Sequence, residues 1–252
     1  DDQGLEGVLS RVDRPPRIVP GGAACNTVVG LARLGGTARF IGKRGNDLSG
    51  RRYEDGLRAS NVEPRLIASD SPTGRVLSLI TPDSQRTMLT YLGAAAEMRP
   101  DEIQPADFAD TAVVLIEGYL VFNRELFQAA LGRAKAAGAC VALDLASFTV
   151  VESARDLLDE AVTGSIDILL ANEDEAQAFT GRDSAAAALE DLAQRVPVAA
   201  VKIGPRGSLV AAAGRVQAVP PVPGDGVVDT TGAGDLWAAG FLFGLVEGYP
   251  LP

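Results

Sequence analysis

Four short apolar runs, Ala112–Ile116, Ala139–Leu143, Ile166–Leu170 and Val198–Ile203, recur between turn residues in the second half of the chain. Runs this short and this predominantly apolar suit strands of a covered parallel sheet. Between the first three lie Asn123–Ala137, with apolar residues at helical spacing, and the segment Val150–Ala161. Strand, helix and strand in this order imply right-handed crossovers and a mostly parallel sheet covered on both faces, a three-layer α/β/α body. Sites in such sheets gather at the carboxyl ends of the strands. A length of 252 residues fits one large α/β domain, or one domain with a small appendage.

Glu63–Leu92 differs in character. Val76–Thr81, a turn at Pro82-Asp83-Ser84 and then Thr87–Tyr91 predict a hairpin rather than a strand–helix–strand unit. Strands projecting from an α/β body form either an edge hairpin or a lid over a site.

Charge narrows the chemistry. With 23 basic and 33 acidic residues the chain carries a formal charge of −10, which repels nucleic acid and anionic membranes at long range. A nucleotide is still admissible, because local amides and a magnesium ion outweigh a distant field. The absence of histidine removes histidine-based nucleophile schemes and histidine metal sites, so acid–base work falls to carboxylates or lysine. Cys25 and Cys140 stand in no metal or redox spacing and read as buried thiols of a reduced, cytoplasmic protein. No apolar run is long enough to span a bilayer, and the acidic N-terminus of the sequence shows no signal-peptide pattern.

The densest signal is Asp229-Thr230-Thr231-Gly232-Ala233-Gly234-Asp235, followed by the apolar run Leu236-Trp237-Ala238-Ala239-Gly240-Phe241-Leu242. Glycines let backbone approach a ligand closely, and a helix beginning here offers unpaired N–H groups and a positive dipole end to an anion. Asp235 stands where it could accept a proton from an attacking hydroxyl. On the same residues, Thr230 or Thr231 could cap the helix and Asp235 could complement its dipole. The full spelling, continued by Ala-Ala-Gly-Phe, resembles the C-terminal signature of the ribokinase (PfkB) family of carbohydrate and nucleoside kinases.

That resemblance implies a ribokinase-like fold with a small β lid over the acceptor, here at approximately 63–92 with part of 5–20, and a single kinase domain spanning 1–252. It casts Asp235 as general base and Gly232, Ala233 and Gly234 as the anion hole, with Thr230 and Thr231 at the phosphates. Pro20-Gly21-Gly22-Ala23-Ala24-Cys25-Asn26-Thr27 resembles the family's N-terminal signature and implies that Gly21, Gly22 and Asn26 hold the acceptor. The Gly-x-x-Gly turn Gly204-Pro205-Arg206-Gly207 implies a nucleotide contact, with Lys202 beside it; by itself it reads equally as a hairpin turn. Asn172-Glu173-Asp174-Glu175 resembles the family's Asn-x-x-Glu motif, which implies that Asn172 and Glu175 serve magnesium through water. The same pair also spells a capping box. Asp144 is placed either to organise phosphates or to cap a turn, and Asp47 to cap a helix.

No Gly-x-x-x-x-Gly-Lys-[Ser/Thr] occurs, so the chain is not a P-loop enzyme. The expected activity is transfer from magnesium-ATP to a primary hydroxyl of an adenosine-like nucleoside. The nucleoside is favoured because Gln85–Gly93, with Arg86 and Tyr91, resembles the lid edge of the adenosine-kinase-like branch. Ribose, fructose or another sugar is the alternative acceptor, and a non-catalytic nucleotide- or sugar-binding protein is a third reading. A monovalent cation and a homodimer are left open. Beside the family pattern both ends read as incomplete, lacking the N-terminal strand with its sugar-binding acid and the C-terminal helices.

Overall fold

The computed structural model describes residues 2–11, 16–80, 86–222, 224 and 230–251. The chain divides into two units, Asp1–Glu102 and Ile103–Pro252. The first contains α1 (Asp2–Leu9), α2 (Ala23–Arg33), β1 (Ala38–Gly45), α3 (Leu48–Ala59), β2 (Val62–Ser69), β3 (Arg75–Ile80) and β4 (Arg86–Tyr91). β1 and β2 pair in parallel from Ala38↔Val62 to Gly45↔Ser69. Cys25, Ala32, Leu57 and Val62 form the core beside them, with Val28, Val29, Phe40, Tyr53 and Leu66 packed around it. Each large apolar side chain buried in this way stabilises the unit by about 1.5–3 kcal/mol. Burial also pushes the Cys25 thiol up, as an inert core position requires.

Asp47 caps α3 as expected, its carboxylate accepting from the Gly50 N–H at 2.7 Å. It also accepts from the Thr73 N–H at 2.8 Å and the Thr73 hydroxyl at 2.6 Å, which ties the root of the hairpin to the start of α3. Burial works to raise its pKa, but these bonds outweigh that and hold the carboxyl below its ordinary value. The antiparallel hairpin is β3–β4, in register from Arg75↔Tyr91 to Ile80↔Arg86. It is narrower than the expected 63–92, because β2 belongs to the parallel pair with β1. Among the described residues of 5–20 the structure has helix α1, with Leu5 buried beside β4. The Pro82–Ser84 turn and the Arg86 side chain lie outside the described residues.

In the second unit the four predicted strands form within one or two residues of their expected bounds: β5 (Val113–Glu117), β6 (Cys140–Asp144), β7 (Ile168–Asn172) and β8 (Val198–Lys202). They pair in parallel in that order. β9 (Ser208–Ala212) and β10 (Arg215–Val219) then extend the sheet antiparallel beyond β8. Every residue of β10 is exposed, as an edge strand allows, so no apolar run announced it. The helices are α4 (Arg124–Ala136), α5 (Phe148–Ser153), α6 (Arg155–Gly164), α7 (Glu173–Thr180), α8 (Ala185–Leu192) and α9 (Ala233–Val246).

The helix expected over Val150–Ala161 is two helices, because Ser147 caps α5 through the Val150 N–H and the chain breaks at Ala154. Arg155 then fixes the start of α6 by donating to the Ala178 and Phe179 carbonyls at the end of α7. Leu143, Leu145, Leu158, Ile168, Leu169, Leu170, Phe127 and Phe179 are fully buried in this unit. Glu117, Asp144, Asn172 and Lys202 are the last residues of β5, β6, β7 and β8 respectively. The register sets Glu117 opposite Asp144 and Asn172 opposite Lys202. The apolar interiors of these strands place them; their polar final residues line the carboxyl edge.

Candidate active site

Two charged strand ends meet at this edge. Lys202 Nζ donates to Asp144 Oδ2 at 2.9 Å, with the two side chains 15% and 19% exposed. Asp144 Oδ1 accepts from the Ala146 N–H at 3.1 Å, so the turn-capping role expected of it is present alongside the ion pair.

Asn172 ends β7 and caps α7. Its Oδ1 accepts from the Glu175 N–H at 2.8 Å, while its backbone N–H and its Nδ2 each donate to Glu175 at 2.7 Å. The capping box spelled in the sequence is therefore closed, and both Glu175 oxygens are occupied by Asn172. Glu175 is 3% exposed, and its pKa is pushed up to about 7, chiefly by burial. The Asn172 N–H works against that shift, and among nearby charges Asp144 adds to it while Lys202 opposes it.

This donor set does not form a protein cage for a metal, and no group of three His, Cys, Asp or Glu residues suited to one occurs among the described residues. Asn172 itself is exposed, with Glu175 screened behind it. The pair fits a magnesium ion that keeps its water shell and arrives with phosphates, which is the usual behaviour of that ion.

The turn between β8 and β9 contains Gly204 at φ +60 and Gly207 at φ +94. A β-carbon on Gly207 would stand 2.1 Å from the Val219 carbonyl oxygen, so the return of β10 already requires glycine there. Gly204 faces open space. It borders a cleft of about 320 Å³ that is also lined by Asn172, Asp174, Lys202, Ile203 and Arg206. A larger hollow of about 410 Å³ lies at the opposite, amino end of the strands, beside Cys140, Ile168 and Val198, and includes none of the expected site residues.

α9 begins at Gly232, which adopts the left-handed conformation at φ +76 and gives no side-chain cap. Leu236 N–H makes the first helical bond, to the Gly232 oxygen at 2.9 Å. The Ala233 N–H is spent on the Thr230 carbonyl at 3.1 Å, so one of the three amides expected to face an anion is drawn into the turn. Gly234 makes no hydrogen bond through its N–H among the described residues, and a β-carbon placed on it would lie 3.7 Å from Lys202 Nζ. Asp235 is half-buried in the first turn, while Thr230 and Thr231 are exposed. Asp229 lies outside the described residues. The structure thus brings Lys202, Asp144 and the Gly232–Gly234 turn together. The contact between the first two joins strand ends 58 residues apart, and no local pattern announces it.

In the first unit, α2 starts at Gly22, at φ +103 and again without a side-chain cap. Asn26 N–H bonds to the Gly22 oxygen at 2.9 Å, and β-carbons on Gly21 or Gly22 would meet nothing within 4 Å. Gly21, Gly22 and Asn26 therefore share one open helix entrance. No helix among the described residues is long and apolar enough to cross a membrane.

The fold is α/β, and comparison with known proteins gives its family. The profile of the pfkB family carbohydrate kinase matches residues 2–252, and the chain belongs to that family. Probable fructokinase-7 of Arabidopsis thaliana is 32% identical over 96% of this chain and 74% of its own length. The adenosine kinase of Sinorhizobium meliloti is 35% identical, with a TM-score of 0.91 over 99% of this chain and 78% of that one. A probable sugar kinase of Rhizobium etli is 32% identical, with a TM-score of 0.93 over 100% of this chain and 78% of that one. The fold is ribokinase-like, and the relatives are kinases of sugars and nucleosides.

Proposed function

We propose that the chain transfers the γ-phosphoryl group of ATP to a primary hydroxyl of an adenosine-like nucleoside in the cytoplasm. Asp235 takes the hydroxyl proton as the oxygen attacks phosphorus, the bond to the β-phosphate oxygen breaks, and ADP leaves. The observation that carries this reading is the opening of α9, where a left-handed glycine replaces a side-chain cap and a carboxylate occupies the first turn. The Gly234 amide and the helix dipole face the charge that develops on the transferring group.

Gly204, Gly207 and Lys202 lie on the nucleotide side, with Thr230 and Thr231 at the phosphates and Gly21, Gly22 and Asn26 at the acceptor. Asn172, backed by Glu175, would hold the water shell of a magnesium ion, which would supply positive charge to neutralise the phosphates.

A sugar such as fructose or ribose is the second reading, favoured by the identity to a probable fructokinase and to a probable sugar kinase. ADP release with magnesium-ATP across a panel of nucleosides and sugars tests both. Adenosine is expected to give the highest kcat/KM; a sugar that exceeds it reassigns the acceptor, and a panel without turnover removes the kinase reading. Asp235→Asn is expected to lower kcat by about 10²–10⁴-fold while ADP binding, followed by calorimetry, is retained.

A further inference from the structure

We propose that Lys202 is a mobile clamp for the terminal phosphates of the nucleotide, and that Asp144 is the positioning residue that stores it before they arrive. This rests on the kinase reading of the same site. The ammonium lies 2.9 Å from Asp144 Oδ2, and 3.7 Å from the point where a Gly234 β-carbon would stand. It also lines the cleft that Gly204 borders. Lys202 therefore stands between the turn assigned to the nucleotide and the turn assigned to the transferred group.

The two partners differ in freedom. Asp144 is anchored twice, by Lys202 through Oδ2 and by the Ala146 N–H through Oδ1, so its carboxylate stays in place when the lysine leaves. Lys202 has three N–H donors on a flexible four-carbon stem, and among the described residues only one of its hydrogen bonds is present, the one to Asp144. The surrounding edge is rich in carboxylates: Glu173, Asp174 and Glu175 open α7, and Asp235 opens α9. A polyphosphate entering such an edge needs a local cation. The cleft's other cation, Arg206, is tied to Glu173 at the rim with its side chain 62% exposed. A lysine that exchanges one anionic partner for another supplies positive charge to the phosphates without leaving an unpaired buried cation in the empty enzyme.

The test is calorimetric affinity for inorganic tripolyphosphate at fixed low salt, measured on the whole chain and on Lys202→Met, Lys202→Arg and Asp144→Asn, with thermal unfolding alongside. Lys202→Met is expected to weaken binding roughly ten- to hundredfold, as loss of a charged hydrogen bond does, and Lys202→Arg to restore most of it. Asp144→Asn is expected to strengthen binding by roughly three- to tenfold, because the competing carboxylate is gone.

A folded Lys202→Met variant with wild-type affinity would reduce the lysine to a strut. Weaker binding in Asp144→Asn would overturn the storage role, and this result decides the matter even where the methionine variant does not fold. The readout is independent of the acceptor. Opposite shifts in a protein that phosphorylates nothing would support the clamp and remove the kinase; an active kinase with unshifted affinities would do the reverse.

Discussion

α7 and α9 both open on sequences that resemble phosphate-site motifs, yet their first turns are finished in opposite ways. At α7 the Asn172–Glu175 box satisfies the helix from within, and the Glu175 carboxylate is buried by the result. At α9 a left-handed glycine stands in the cap position and supplies no side-chain cap of its own. α3, α4, α5 and α8 follow the α7 style, with side-chain oxygens of Asp47, Asn123, Ser147 and Ser184 as caps. α2 follows the α9 style at Gly22. A capped helix end is complete without a ligand, whereas a glycine-capped one keeps donors for something else. α6 also lacks a side-chain cap, at Ala154, but the two helices that carry the family signatures are the ones entered through a positive-φ glycine.

The largest expected effect that sharpens this contrast is the loss of turnover in Asp235→Asn, since the carboxylate of the open turn is the one given chemistry. An Asp235→Asn enzyme retaining kcat within about tenfold of wild type would break the contrast at its centre.

Next is the pH response of the closed turn. Glu175 has an ordinary value of 4.5 and a folded value of about 7, so between these pH values the native state holds a proton that the unfolded state has lost. Stability is expected to fall across that interval as pH rises, by about 3 kcal/mol in all, with the cost fully present above the upper value. Urea unfolding at a series of pH values should show this slope in the wild type and lose it in Glu175→Gln; an unchanged slope would assign it elsewhere.

Asn172→Ala removes the cap of α7 and is expected to cost about 0.5–2 kcal/mol in the same unfolding assay. The smallest change in stability is expected for Gly234→Ala. Among the described residues its β-carbon meets only Lys202 Nζ, at an ordinary 3.7 Å, and replacing a helical glycine gains about 1 kcal/mol or less. Its effect belongs in ligand binding instead: tripolyphosphate affinity should drop while the midpoint of thermal unfolding holds or rises. A drop in both would mean that the α9 turn is built for the fold and not for a ligand.

Much of this was legible in the chain. The four parallel strands were visible because their interiors are short apolar runs between turn residues, and the hairpin because Val76–Thr81 and Thr87–Tyr91 flank a turn in the sequence. The Asn172–Glu175 box and the Asp47 cap were legible because capping is a contact over three residues. β10 was not, since an exposed edge strand needs no apolar pattern. The break at Ala154 was hidden because Ser147 and Arg155, which set it, lie outside the apolar pattern that predicted a single helix.

The sequence by itself determined the family, the α/β class and the residue types able to do chemistry, because local spacing and glycine-rich turns are written along the chain. Only the tertiary structure decided that Lys202 lies against Asp144 and Gly234, that Glu175 is screened behind Asn172, and that Gly207 is required by β10. Each of these joins or buries groups through the packing of separate strands, and burial and charge pairing are properties of that packing rather than of any local run of residues.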